Sequence, residues 1–171
     1  MFKAIQKIDW RIMHYIDRRK RNKFFLKAMQ VLSIIGNAGT VWFVLIGVLF
    51  LFQLHLRAAT SMLMSLTLSL LVGNVVLKNL IQRERPFVQD SNIENLIPPP
   101  TDHSCPSGHA YSSFSASVAL VCIVGWIGTP ALLLAAAIAY SRIYLCVHFP
   151  SDIFTSLLLG TGTGILSALI L

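Results

Sequence analysis

The sequence predicts an all-α, integral-membrane six-helix bundle preceded by an amphipathic interfacial helix. Three observations lead there. Of 171 residues, 55% are hydrophobic and only 12% charged, against about 25% charged in an ordinary soluble domain. Long runs of the chain carry no Lys, Arg, Asp or Glu. The formal net charge of +7 is also wholly accounted for by the first 27 residues, where Lys3, Lys7, Arg11, Arg18, Arg19, Lys20, Arg21, Lys23 and Lys27 stand against Asp9 and Asp17. A soluble monomer is excluded, because so few polar groups do not cover the apolar surface of such a chain.

Residues 1–22 form the N-terminal basic segment and residues 23–171 the six-span body. In the first, Ile5, Ile8, Ile12, Met13 and Ile16 recur mostly at three- and four-residue steps with basic groups between them, the pattern of a helix lying in the membrane interface. Basic residues run through the whole segment and no charge-free apolar core precedes a cleavage site, so it does not read as a signal peptide. Charge confined to one end fits a cytoplasmic anchor or contact with anionic headgroups. The rest of the chain is neutral overall, which argues against a nucleic-acid partner.

From Ala28 to Leu56 there is no charged residue. One helix of that length would reach about 43 Å, beyond a hydrocarbon core of roughly 30 Å. The Gly36-Asn37-Ala38-Gly39 stretch supplies a break, since glycine and asparagine favour turns. Span one is therefore placed at 24–36, span two at 40–56 and span three at 58–77. A polar segment from Lys78 to Cys105 follows, with the Pro98-Pro99-Pro100 run that no helix continues through. Spans four (108–127) and five (131–146) are separated at Gly128-Thr129-Pro130, and span six covers 153–171 after His148-Phe149-Pro150. With the N-terminus inside, six spans put the 78–105 segment and the 146–152 turn on the outer side. Merging spans one and two would put both inside; the length argument favours six.

Three polar clusters then gather at helix ends on one side of the membrane: Lys78 with Arg85-Pro86, Pro106-Ser107-Gly108-His109, and Ser141-Arg142 with His148 and Asp152. Lys78, Arg85 and Arg142 supply cations whose geometry suits phosphoryl oxygens. Ser107 and Gly108 stand at a helix start, where free N–H groups and the helix dipole favour an anion. Together they describe a phosphate cradle. His148 and His109 divide into a neutral nucleophile and a protonated leaving-group acid, and a hydrogen bond donated by a ring N–H of His148 to the Asp152 carboxylate would fix the tautomer of His148. Because Pro150 interrupts any helix between them, His148 and Asp152 must meet across a turn. The cysteines Cys105, Cys122 and Cys146 include no Cys-x-x-Cys pair and offer no zinc site; they read as small apolar filler. Arg83 either adds charge near the cradle or is solvated, Asp102 and His103 read as loop residues, and Tyr111, Phe114 and Tyr144 as packing or lipid-facing.

These residues resemble the signature of the type-2 phosphatidic acid phosphatase superfamily of membrane lipid phosphatases. The match runs from residue 78 to 152 and includes Lys78, Arg85, Pro86, Pro106, Ser107, Gly108, His109, Ser141, Arg142, His148 and Asp152, in order and spacing. The resemblance implies a six-helix core, a covalent phosphohistidine at His148, His109 as leaving-group acid and Asp152 as orienter. Lys78, Arg85, Ser107, Gly108 and Arg142 would surround the phosphoryl group, with no metal and no cofactor. The expected protein is a multi-pass phosphatase of a cell membrane, its site on the extracytoplasmic side. Its expected partners are membrane lipids and a lipid phosphate substrate: a polyprenyl diphosphate, phosphatidylglycerophosphate or phosphatidate. The competing class is a non-enzymatic lipid-phosphate binding or transport protein, which would need the cations but not His148, His109 and Asp152.

Overall fold

The computed structural model describes residues 2–171, and within them all regular structure is helical. Helix α1 (Phe2–Asp17) is followed by α2 (Lys23–Ile35), α3 (Thr40–Leu51), α4 (Leu56–Ser69), two four-residue helices α5 (Lys78–Ile81) and α6 (Pro86–Gln89), then α7 (Gly108–Val124), α8 (Thr129–Tyr144) and α9 (Pro150–Ile170). A π-helical stretch, Leu70–Leu77, carries α4 straight into α5. The six segments expected from the apolar runs are thus present as α2, α3, α4, α7, α8 and α9. Local chemistry explains their ends. The Asn22 carboxamide oxygen accepts from the N–H groups of Phe24 and Phe25 and caps α2. Pro150 and Pro86 occupy first turns, where a missing N–H costs nothing.

Helix α7 is the hub, packed against α9, α4 and α8. The α7–α9 approach is close: a Cβ added at Gly164 would lie 2.6 Å from the Ser115 carbonyl oxygen, and one at Gly160 would lie 2.9 Å from that of Tyr111. Between apolar helices in lipid, where no hydrophobic gain drives association, such small-residue contacts bring backbones together. Trp42 is almost wholly buried against the same hub and donates its indole N–H to Ser113. Side chains such as Val44, Leu133, Leu158 and Leu169 are exposed, as a lipid-facing surface requires.

The path of the chain differs from expectation in one respect. Helices α2 and α3 are not a hairpin; they meet at a 52° bend, with the left-handed Ala38 and Gly39 at the corner, and together form a single broken route through the bundle. The apolar stretches long enough to cross a membrane are Leu56–Gln89, Gly108–Tyr144 and Pro150–Ile170, with the bent pair as a fourth. The second of these folds back on itself at Gly125–Gly128, since α7 and α8 pack side by side. Length arithmetic detects an overlong run but not whether its break reverses direction.

Helix α1 also departs from a purely interfacial role. Met13 is buried with Cys146, Phe149 and Ile93, and Ile16 packs beside them, while Ile5 and Ile8 are exposed. One face of α1 docks on the bundle and a second apolar face remains outside. Its partners, Phe149 and Ser151, lie at the start of α9, so α1 sits at the same end of the bundle as the polar clusters.

We expect Gly164→Val to lower thermal stability in detergent by about 1–3 kcal/mol, the usual cost of overpacking; an unchanged unfolding temperature would contradict the close α7–α9 contact.

Candidate active site

The end of the bundle that holds α1 also gathers the three sequence clusters. Lys78 leaves the α4–α5 helix, Arg85 precedes α6, Gly108 and His109 open α7, Arg142 lies in the last turn of α8, and His148 and Asp152 flank the start of α9. A cavity of about 650 Å³ is lined by Lys78, Arg85, Gly108, His109, Arg142 and His148 and also by the apolar Phe43, Leu66, Leu70 and Ile97. Cations and imidazoles thus face an apolar recess.

His148 is 1% exposed. Its Nδ1 lies 2.8 Å from the Ser104 carbonyl oxygen, an acceptor only, so Nδ1 carries the proton and Nε2 keeps its lone pair. Nε2 in turn stands 3.2 Å from Nη1 of Arg85. The expected Asp152 hydrogen bond is replaced here: Asp152 Oδ2 is 3.8 Å from Nδ1, close enough to attract the ring electrostatically but outside hydrogen-bond range. Asp152, with no exposed surface, instead accepts from Ser104 Oγ, from the Phe149 N–H at 2.9 Å and from Arg83 Nη1 at 2.7 Å. Ser104 is therefore the intermediary, its carbonyl on His148 and its hydroxyl on Asp152.

Burial pushes His148 down to about 4, helped by the Arg85 and Arg142 charges and opposed by Asp152. Its neutral form therefore dominates above that pH.

The cations have distinct settings. Arg142 donates from Nη1 to Ser33 Oγ on α2, while its buried Nε has no acceptor. A buried guanidinium N–H without a partner is rare in native proteins and fits a site built for an anion. Lys78 and Arg85 both bind the half-exposed carboxylate of Asp102, the latter at 2.6 Å. Against the upward push of partial burial, those two cations hold Asp102 well below the usual carboxylate range. Asp102, expected to be an ordinary loop residue, thus bridges two groups of the cradle.

Gly108 lines the cavity, and its lack of a side chain matters: a Cβ there would meet Asn74 Oδ1 at 3.0 Å and Lys78 Nζ at 3.6 Å. Ser107, expected beside it in the cradle, is set back from the cavity. Its N–H donates to Ser156 Oγ at 2.8 Å, and its buried hydroxyl has no hydrogen-bond partner. His109 lies 3.1 Å through Nε2 from the Ser33 carbonyl, which leaves Nδ1 as its other proton site. Ser33, Asn74, Ser104 and Asp9 had no signal in the sequence. Arg83, left open there, proves to be an ion-pair partner of both Asp152 and Asp9. Cys105, Cys122 and Cys146 are all unpaired.

The fold and these clusters define a membrane protein of the phosphatase-like helical class. The PAP2 superfamily model matches residues 58–171, and the chain belongs to that superfamily. It is 30% identical over 128 residues to an undecaprenyl-diphosphatase of Sulfolobus acidocaldarius, covering 74% of this chain and 62% of that one. It is 36% identical over 120 residues to the putative undecaprenyl-diphosphatase YbjG of Escherichia coli, covering 70% and 57%. The matches thus span about three fifths of those relatives' lengths. Among solved structures, Aquifex aeolicus LpxE superposes with a TM-score of 0.79 at 27% identity, covering 92% of this chain and 93% of its own.

If Nε2 of His148 is the reacting atom, kcat/KM falls about tenfold per unit as pH drops below about 4, because protonation occupies its lone pair. A pH–rate profile on a slow, soluble phosphate ester measures this; an acidic limb near pH 6.5 would show that His148 titrates like a solvated histidine.

Proposed function

We propose that the protein is a membrane lipid phosphatase that cleaves a phosphoryl group from a lipid phosphate or diphosphate through a phosphohistidine. The observation that carries this reading is the placement of His148: Nδ1 held by a carbonyl, Nε2 bare and directed at Arg85, inside a cavity shared with Lys78, Arg142 and His109. In the first step the Nε2 lone pair attacks phosphorus and the bond to the leaving oxygen breaks. His109 gives that oxygen its proton. In the second step His109 takes a proton from water as the hydroxyl attacks the phosphohistidine, the N–P bond breaks and phosphate leaves. Arg85, Arg142 and Lys78 stabilise the charge on the equatorial oxygens. Asp152, acting across Ser104, favours the imidazolium that attack creates.

The apolar recess beside the cations suits a hydrocarbon tail with its phosphate at the helix ends. Relatives named as undecaprenyl-diphosphatases put polyprenyl diphosphate first among the three candidate classes. A binder would need the cations alone, whereas here a histidine with a bare nitrogen is fixed among them. Phosphate release by purified protein with a chelator present, compared across polyprenyl diphosphate, phosphatidylglycerophosphate and phosphatidate, decides the matter. We expect polyprenyl diphosphate to be fastest and the chelator to have no effect. Folded protein that releases nothing from any of them would establish the binder.

Three variants probe the site. His148→Ala abolishes turnover, while Asp152→Asn lowers kcat more than it raises KM; a normal kcat would remove Asp152 from the mechanism. Asp102→Asn lowers KM several-fold, because a carboxylate that competes with the phosphoryl group for Lys78 and Arg85 is removed; a raised KM would make Asp102 a substrate contact.

The side of the membrane that the site faces is a separate proposal. The extracytoplasmic expectation rested on spans one and two forming a hairpin. With α2 and α3 on one bent route, the basic α1 and the site share an end. Among the described residues, Arg57 is the one Lys or Arg at the far rim, where it bonds the Ala168 carbonyl. The positive-inside rule then supports a site end facing the cytoplasm of a cell membrane. A reporter fused after Leu171 should accordingly read extracytoplasmic; a cytoplasmic reading restores the opposite orientation.

A further inference from the structure

The strongest unexplained feature outside the cavity is a buried carboxylate on the N-terminal helix. Asp9 is 2% exposed, and a charge so placed must be compensated. Its Oδ2 accepts from Arg83 Nη2 at 2.7 Å and from Ser151 Oγ, and its Oδ1 accepts from the Ser151 N–H at 3.0 Å. The same guanidinium donates from Nη1 to Asp152 Oδ1 at 2.7 Å and to Ser151 Oγ at 2.7 Å, with its carbon 4.0 Å above the Phe149 ring centroid. Arg83 is therefore clamped between one carboxylate from α1 and one from α9, with an aromatic face beneath.

We propose that Asp9 is a positioning residue for the phosphoryl-transfer site, acting through Arg83 on Asp152 and so on the Ser104–His148 pair; this rests on the phosphohistidine reading above. The reason is geometric. Arg83 has two fixed carboxylate acceptors, so each carboxylate decides where the fork can lie for the other. With Asp9 in place, one arm of the fork is anchored to α1 and the other meets Asp152 Oδ1, leaving Oδ2 for Ser104 and the Phe149 N–H. Without the Asp9 charge, Arg83 is free to swing onto Asp152 in bidentate fashion and compete for Oδ2. Ser104 then loses its acceptor, and Ser104 is the residue whose carbonyl holds the His148 tautomer. None of these groups touches the cavity beyond His148, so substrate binding is untouched while the nucleophile loses alignment.

The test uses the full chain purified in detergent, with polyprenyl diphosphate as probe. Asp9→Asn is expected to lower kcat about tenfold with KM changed less than about twofold, the scale of removing a supporting partner behind a reacting group. In an Asp152→Asn background the same change is expected to cost nothing more, since the path runs through Asp152. Met13→Ala, which loosens α1 packing without touching the link, should leave kcat within about twofold below its unfolding temperature. An unchanged kcat in Asp9→Asn, an equal loss in both backgrounds, or the same loss from Met13→Ala would each overturn the proposal. Should Asp9→Asn not yield monodisperse protein, Arg83→Lys, which keeps the charge but not the fork, carries the same test and the same expected loss. A wild-type protein that releases no phosphate would instead sink the phosphatase reading itself.

Discussion

A carboxylate with no exposed surface inside an apolar helix bundle is the constraint around which this end of the molecule is built. The desolvation of Asp152 costs several kcal/mol unless each lone pair finds a donor, and the donors come from far apart in sequence: Arg83 from the loop after α5, Ser104 from the segment before α7, and the Phe149 N–H from its own helix start. Meeting that demand draws three chain segments together, and the same groups then hold the His148 ring. Arg83 in turn needs Asp9, which explains why an amphipathic helix that could lie free on a membrane is docked.

The cavity combines two chemistries that rarely adjoin. On one side Lys78, Arg85 and Arg142 crowd into a small volume beside a neutral imidazole, an arrangement that repels itself unless an anion is near. The Asp102 bridge supplies part of that compensation from within the chain, and the orphaned Nε of Arg142 shows that it is incomplete. On the other side Phe43, Leu66 and Leu70 offer nothing polar. A molecule with a phosphate at one end and a hydrocarbon at the other satisfies both halves, and a membrane delivers such molecules already oriented.

The helices were legible because apolar runs between Gly and Pro breaks announce them; α8 and α9 begin within three residues of the expected starts. The clustered site residues were legible for a different reason: ionisable residues are so rare in this chain that His109, Arg142, His148 and Asp152 stand out. What stayed hidden depends on direction and distance. The bend at Ala38–Gly39 and a true hairpin share one turn-favouring composition, so composition alone does not distinguish them. The Ser107 N–H, in a motif read as an anion site, is taken by Ser156 Oγ. Ser104 is a lone serine in a serine-rich chain, and Asp9 lies more than 70 residues from Arg83, its ion-pair partner. No local pattern marks such residues.

The claim at the centre is that Nε2 of His148 forms a bond to phosphorus. Rapid acid-free denaturation during turnover of a phosphorus-labelled lipid, followed by peptide mapping, measures it directly. The account predicts label that is stable in alkali, lost in acid, and confined to the peptide containing His148. Label on His109, or turnover with no trapped phosphate under any quench, would contradict it.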